Sequence, residues 1–384
     1  MNLPASNAYL RTIRSAAEAA TRTAAVRIND GAIARLLTST AFTASFERVP
    51  VGHMAMPLQF PTKAHELGFF GLLSILNFGS GFEEELHRAT GRGTFDKALA
   101  FSMYIADEDL MSARGMQGIS ETKIAELIGV NVHQERADAS LPGVVIGELG
   151  GPMYELVKLV TLTLNETGEI LVKGGYAHLG IFIARVLETA QGSLEVILEH
   201  VGCFQCPGRC ADQLGKLVRT FPTFQDMAVV DGHPIFCFKK ALLLIAVLVA
   251  RNFVSVPSAG PPLPILADSV VPSLLVHLGV IDLSASHRLA SVPLPVASAD
   301  RLVATPVASA SPVMASAGPV VSREEAYILR AAAIHAVGRM VEIAGEQGVE
   351  AVDLMLNQWL WKMAETDGYE LGRFEFKLRG TVFL

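Results

Sequence analysis

The chain is short of cysteine, tryptophan and charge. Of its 384 residues only 4 are cysteine and 2 are tryptophan, and Asp, Glu, Lys and Arg make up 18%. So few cysteines in so long a chain do not build a disulfide framework, and they point to a reducing compartment, the cytosol. No apolar run nears the ~20 residues needed to cross a bilayer. The longest, Ala241 to Ala250, reads as a buried core helix, so no membrane partner is expected. A net charge of -7 lacks the basic excess that a duplex nucleic-acid partner requires, but leaves room for a local Lys/Arg pocket around one phosphate. Zincin, nucleophile-elbow and EF-hand signatures are missing. Gly147, Gly150 and Gly151, like Gly79 and Gly81, lack the strand before and the Lys-Ser/Thr after that a phosphate loop needs, so they read as turns or close-packing points.

What is abundant is apolar surface, 51% of residues, enough for a large core. Its spacing is mostly helical. Tyr9, Leu10, Ile13 and Ala17 form a stripe, and an ordered first helix is favoured there over a transit peptide, despite Arg11, Arg14, Arg22, Arg27 and Arg35. Helices are also expected from Ser120, over Gly151–Glu166, Gly180–Ala190 and Ser193–Val201, from the Ser322/Glu325 capping box to Ala344, and over about Val349–Ala364. Asp231-Gly232 between apolar arms marks a hairpin over Met227–Phe238, and Phe374, Phe376 and Leu378 alternate like a strand. From about Ser284 to Val321 the sequence falls into Ala, Ser, Val and Pro, which reads as a mobile insertion. The expectation is a single, mostly helical domain over residues 1–384 with one short β-hairpin, interrupted at about 284–321.

One acid stands apart. Asp268 is the only formally charged residue between Pro264 and Ile281. Burial there would raise its pKa and fit it for chemistry, while Asp followed by Ser-Val-Val-Pro equally suits the N-cap of a helix to about Leu278. The two roles are compatible. Lys239 and Lys240, between Phe238 and the apolar run, could pair with Asp226 or Asp268, hold a phosphate, or snorkel. Trp359 and Trp361 face different sides of one helix, so one suits the core and the other a pocket. Cys203, Cys206 and Cys210 with Cys237 could ligate zinc, but the solitary fourth cysteine favours reduced thiols without metal.

An ordered series of short motifs runs through these residues. It comprises Leu76-Asn77-Phe78, Leu164-Asn165-Glu166-Thr167-Gly168, Phe221-Pro222 with Asp226, Phe238-Lys239-Lys240-Ala241, Ala267-Asp268 with Pro272, His277-Leu278-Gly279, Ile328-Leu329-Arg330 and Trp359-Leu360-Trp361. In this order the chain resembles the queuosine salvage protein family, the queuosine 5'-phosphate N-glycosylase/hydrolases, from about Val26 to Arg379. The resemblance implies an all-helical domain shaped like helical DNA glycosylases. It also implies release of queuine from queuosine 5'-monophosphate for tRNA modification, with no cofactor and no direct nucleic-acid partner. Asp268 would be the catalytic acid, Lys239 a pocket lysine, Phe78 the base-stacking ring, and Asn77, Asp226 and Trp361 substrate neighbours. Lys239, Arg330 and Arg379 would be candidates for the 5'-phosphate. Three positions depart from the family pattern. Ser74 and Asn357 stand where acids are common, and Ser269-Val270 replaces a Tyr-Arg pair. They keep open a hydrolase of the same fold acting on another nucleotide, or a nucleotide-binding protein without catalysis.

Overall fold

The computed structural model describes residues 2–5, 8–46, 58–106, 109–137, 145–190, 197, 221–254, 262–294, 296, 318–364 and 375–384. Among these residues the helices are α1 (Tyr9–Thr23), α2 (Asp30–Leu37), α3 (Thr40–Ser45), α4 (Lys63–Leu76), α5 (Glu83–Thr90), α6 (Asp96–Ile105) and α7 (Ala113–Gly118). They continue as α8 (Glu121–Ile128), α9 (Gly151–Lys173), α10 (Leu179–Ala190), α11 (Lys239–Ala250), α12 (Val270–His277), α13 (Arg323–Glu346) and α14 (Asp353–Ala364). Three antiparallel two-stranded sheets join them: β1 (Arg27–Ile28) with β6 (Ile281–Asp282), β2 (His133–Ala137) with β3 (Val145–Leu149), and β4 (Met227–Val230) with β5 (His233–Phe236). The molecule is mostly helical, and none of the described helices is long and apolar enough to cross a membrane. It packs as two compact units, one of Met1–Met56, Gly192–Glu199 and Phe224–Leu378, the other of Pro57–Gln191, His200–Thr223 and Arg379–Leu384.

In the first unit α13 is the central element. Ser322 Oγ accepts from Glu325 N at 3.2 Å while the Glu325 carboxylate accepts from Ser322 N at 2.7 Å, so the capping box forms as expected. From Ala326 to Ile334 every residue of α13 is buried, the mark of a helix enclosed on all sides. It touches α1, α2, α12, α14, β4 and β5. The expected stripe of α1, Tyr9, Leu10, Ile13 and Ala17, is buried. The β4–β5 turn has positive φ at both Asp231 (50°) and Gly232 (80°), as a type I′ hairpin requires.

In the second unit two helix pairs lie unusually close. Gly68, Gly71 and Gly180 let α4 and α10 approach, because a Cβ on Gly180 would run into the Ala64 carbonyl. The Leu164–Gly168 motif plays a similar part between α7 and α9. Asn165 Nδ2 donates to the carbonyls of Met116, Gln117 and Ile119 at 2.9, 3.0 and 3.0 Å, closing the C-terminal end of short α7. One turn of α9 further on, Gly168 lies against the α7 backbone.

Three expectations change. Gly147 lies within strand β3 opposite Glu135 and is no turn, in a hairpin the sequence did not announce. Of the stretch read as a mobile insertion from Ser284, the part up to Leu294 packs into the first unit, with Ser286 and Leu289 buried, and 297–317 lies outside the described residues. In the strand expected near the C-terminus, Glu375 and Lys377 are buried as fully as Phe376 and Leu378, so alternation does not separate core from solvent there. Phe374 and nearly all of the helix expected over Ser193–Val201 lie outside the described residues.

Gly168→Ala is expected to cost about 1–3 kcal/mol, since its methyl group meets α7 backbone atoms that cannot rotate away. Denaturant unfolding of the variant measures this.

Candidate functional site

The site grows from Asp226, which is 0% exposed. Its carbonyl accepts from Cys237 N and Phe238 N at 3.0 and 3.1 Å, closing the open end of the β4–β5 hairpin. Phe238 takes a left-handed φ of 44°, strained for a bulky residue, and so turns the chain from β5 into α11. That turn aims Lys239 N at Asp226 Oδ2, 3.0 Å away. From α13, Tyr327 Oη donates to Oδ1 at 2.9 Å, while Arg330 grips both oxygens, Nη1 to Oδ1 at 2.8 Å and Nη2 to Oδ2 at 2.5 Å. The carboxylate thus accepts four hydrogen bonds and faces a guanidinium, the full satisfaction that a buried charge requires. Burial opposes the charge on Arg330, but Asp226 more than compensates, and its pKa lies above the usual arginine range.

Arg330 also reaches the next element. Its Nε donates to the Ala267 carbonyl at 2.7 Å, fixing the residue before Asp268. Asp268 is 8% exposed. Its Oδ1 accepts from Val270 N at 2.9 Å and Val271 N at 3.1 Å, so it caps α12 as one reading of the sequence expects. Its Oδ2 accepts from Trp361 Nε1 at 2.9 Å. Burial raises the pKa of Asp268. The Lys239 charge, the two backbone N–H groups and the indole pull the other way without cancelling it. Lys240, fully buried, has a pKa well below the ordinary lysine range because burial and then Lys239 disfavour its charge. The two tryptophans divide as expected. Trp359 is core, its ring edge-on to Phe42 and its Nε1 bonded to Ser45 Oγ at 2.8 Å, whereas Trp361 is half-buried.

Asp226, Lys239, Arg330, Asp268 and Trp361 therefore gather in the first unit. Two of these side chains turn inward. Arg330 is 0% exposed and bonded to Asp226 and Ala267. Asp226 is likewise 0% exposed and paired with Arg330.

Asn77, Phe78 and Arg379 belong to the second unit. Asn77 ends α4, with Nδ2 3.5 Å from Asp96 Oδ2, and Phe78 is 8% exposed with its ring edge-on to Phe95. Arg379 donates through Nε to the Gly81 carbonyl at 2.9 Å, pairs with Glu85 and lies over the Phe82 ring. Its charge is therefore engaged by a carboxylate.

Tyr327 is the residue that sequence reading misses. Its only signal is its place three residues before Arg330, on the same face of α13. Of the departures, Ser74 Oγ turns back to the Phe70 carbonyl at 2.9 Å. Asn357 is 4% exposed and its Oδ1 has no partner. Cys203, Cys206 and Cys210 lie outside the described residues, and burial pushes the Cys237 thiol up to about 12. Among the described residues no group of three or more His, Cys, Asp or Glu could hold a metal ion. Comparison with protein-family models and with curated proteins gives no match.

Arg330→Met leaves the Asp226 carboxylate buried without its counter-charge, and a loss of about 3–5 kcal/mol is expected in denaturant unfolding. A second expectation concerns pH. With its folded pKa raised above 3.8, Asp268 binds its proton more tightly in the folded chain, so its contribution to stability falls as pH rises from 3.8 through the raised value. Asp268→Asn has no such proton to lose. The difference in Tm, variant minus wild type, should grow through that window and level off above it, as thermal melts at stepped pH would show.

Proposed function

We propose that the chain is an N-glycosylase that hydrolyses queuosine 5'-monophosphate to release queuine, with Asp268 as the catalytic carboxylate. The observation that carries this reading is the buried, raised-pKa Asp268, set by backbone N–H groups and an indole and standing within an ordered motif series that resembles the queuosine salvage family. As the C1′–N bond breaks, positive charge develops on the ribose, and a carboxylate beside it stabilises that charge. The same carboxylate takes a proton from the attacking water as the C1′–O bond forms, and the leaving base takes up a proton in turn. A raised pKa makes Asp268 a better proton acceptor than an ordinary carboxylate, while the Lys239 charge favours its ionised form. Lys239, whose charge acts on Asp268, is a candidate donor to the 5'-phosphate, while Arg330 and Arg379 pair with Asp226 and Glu85.

Ser74 and Asn357 favour a second reading, a hydrolase of the same type acting on a different nucleotide base. Purified protein incubated with queuosine 5'-monophosphate and, separately, with ordinary purine nucleotides decides between them by chromatography of the free bases. Release of no base from any of them would overturn the hydrolase and leave a nucleotide-binding protein.

Asp268→Asn is expected to abolish base release while nucleotide binding persists. The acid limb of kcat/KM should fall above the ordinary 3.8, since the ionised form is the active one. Trp361→Phe removes a donor to that form and should move the limb to still higher pH.

A further inference from the structure

Among the described residues Asp268 accepts hydrogen bonds at both carboxylate oxygens. Oδ1 is held by Val270 N and Val271 N, and Oδ2 by Trp361 Nε1 at 2.9 Å. At 8% exposure the carboxylate offers solvent little surface. Yet the chemistry proposed above needs one carboxylate oxygen beside a ribose and a water. The backbone bonds to Oδ1 are part of the α12 cap and break only with the helix end. The bond to Oδ2 is different, because its donor is a side chain on a half-buried residue in the last turn of α14.

The partner that can yield is therefore the indole. Rotation about the Trp361 side-chain bonds would break this one bond, and Trp361 takes no part in the α12 cap or the Asp226–Arg330 pair. Trp359, two positions away, cannot serve, since it is 2% exposed and fixed by Phe42 and Ser45.

We propose that Trp361 is a latch on the catalytic carboxylate: it closes Oδ2 in the free protein and swings away when the nucleotide enters, lending its ring face to the flat base. This rests on the reading of Asp268 as the acid of a nucleotide hydrolase. The exchange conserves hydrogen bonds, because Oδ2 gives up the indole N–H and accepts an O–H of the attacking water. It also keeps water away from the carboxylate until substrate is present. The ring that leaves is a natural platform for a base, since stacking on an aromatic side chain is worth about 1–3 kcal/mol per base.

The chain's 2 tryptophans make this measurable. Trp359 is a constant background, and the difference in emission between wild type and Trp361→Phe isolates Trp361. Without ligand, that difference signal is expected to titrate with Asp268, with a midpoint above 3.8, and to be flat in Asp268→Asn. Lys239 is a charged side chain whose field lowers the pKa of Asp268, and it is present in Asp268→Asn as well, so the comparison holds its contribution fixed. On adding queuosine 5'-monophosphate the signal should shift saturably, and the same addition to Trp361→Phe should leave emission unmoved. A nucleotide that does not move the Trp361 signal overturns the latch, whether or not queuine is released. A saturable shift without queuine release leaves the movement of Trp361 standing and overturns hydrolysis of this nucleotide.

Discussion

The first unit is organised around one fully buried ion pair. Arg330 and Asp226 are each 0% exposed, and their bidentate contact joins the central helix α13 to the base of the β4–β5 hairpin. A buried pair of this kind is weak evidence for net stability, because desolvation offsets much of the attraction. Its value lies in geometry. Three elements converge on it: Tyr327 and Arg330 from α13, the N-terminus of α11 through Lys239 N, and the segment before α12 through the Ala267 carbonyl. Apolar packing alone would let these elements slide by fractions of an ångström, whereas directional bonds between charged groups do not. Asp268 is placed to that tolerance because its neighbour is bonded to Arg330.

Two aspartates on the same scaffold are thus given opposite tasks. Asp226 has a guanidinium and four donors. Asp268 has two backbone N–H groups and an indole, with a lysine charge whose effect does not outweigh burial. The first is one half of a buried ion pair. The second is held where its proton can be gained or lost, which is the condition for acid–base work. The resemblance to a known family treats both as neighbours of a ligand, and the structure gives them different surroundings.

How far the sequence could be read follows from where its signals arise. The capping box at Ser322, the Asp231-Gly232 turn and the α1 stripe are local patterns with local causes, and each appears where expected. Strands β2 and β3 were missed because neither buries a face, so no alternation was imprinted on them. The isolation of Asp268 was visible, and so was its suitability as a cap. Its partner Trp361 lies 93 positions away, and Arg330 lies 104 from Asp226, so these pairings arise from tertiary packing and leave no local trace. Arginine in a helix reads as a surface cation until the structure shows it enclosed.

Asn357 has a consequence of a different kind. Among the described residues its Oδ1 is buried without a donor, and a buried acceptor left unpaired costs about 1–3 kcal/mol. Along α14 it shares a stripe with Asp353 and Trp361, whose contacts run to Arg14 and to Asp268. The face of α14 that meets Asp268 thus carries a polar atom that the hydrogen bonds among the described residues do not use.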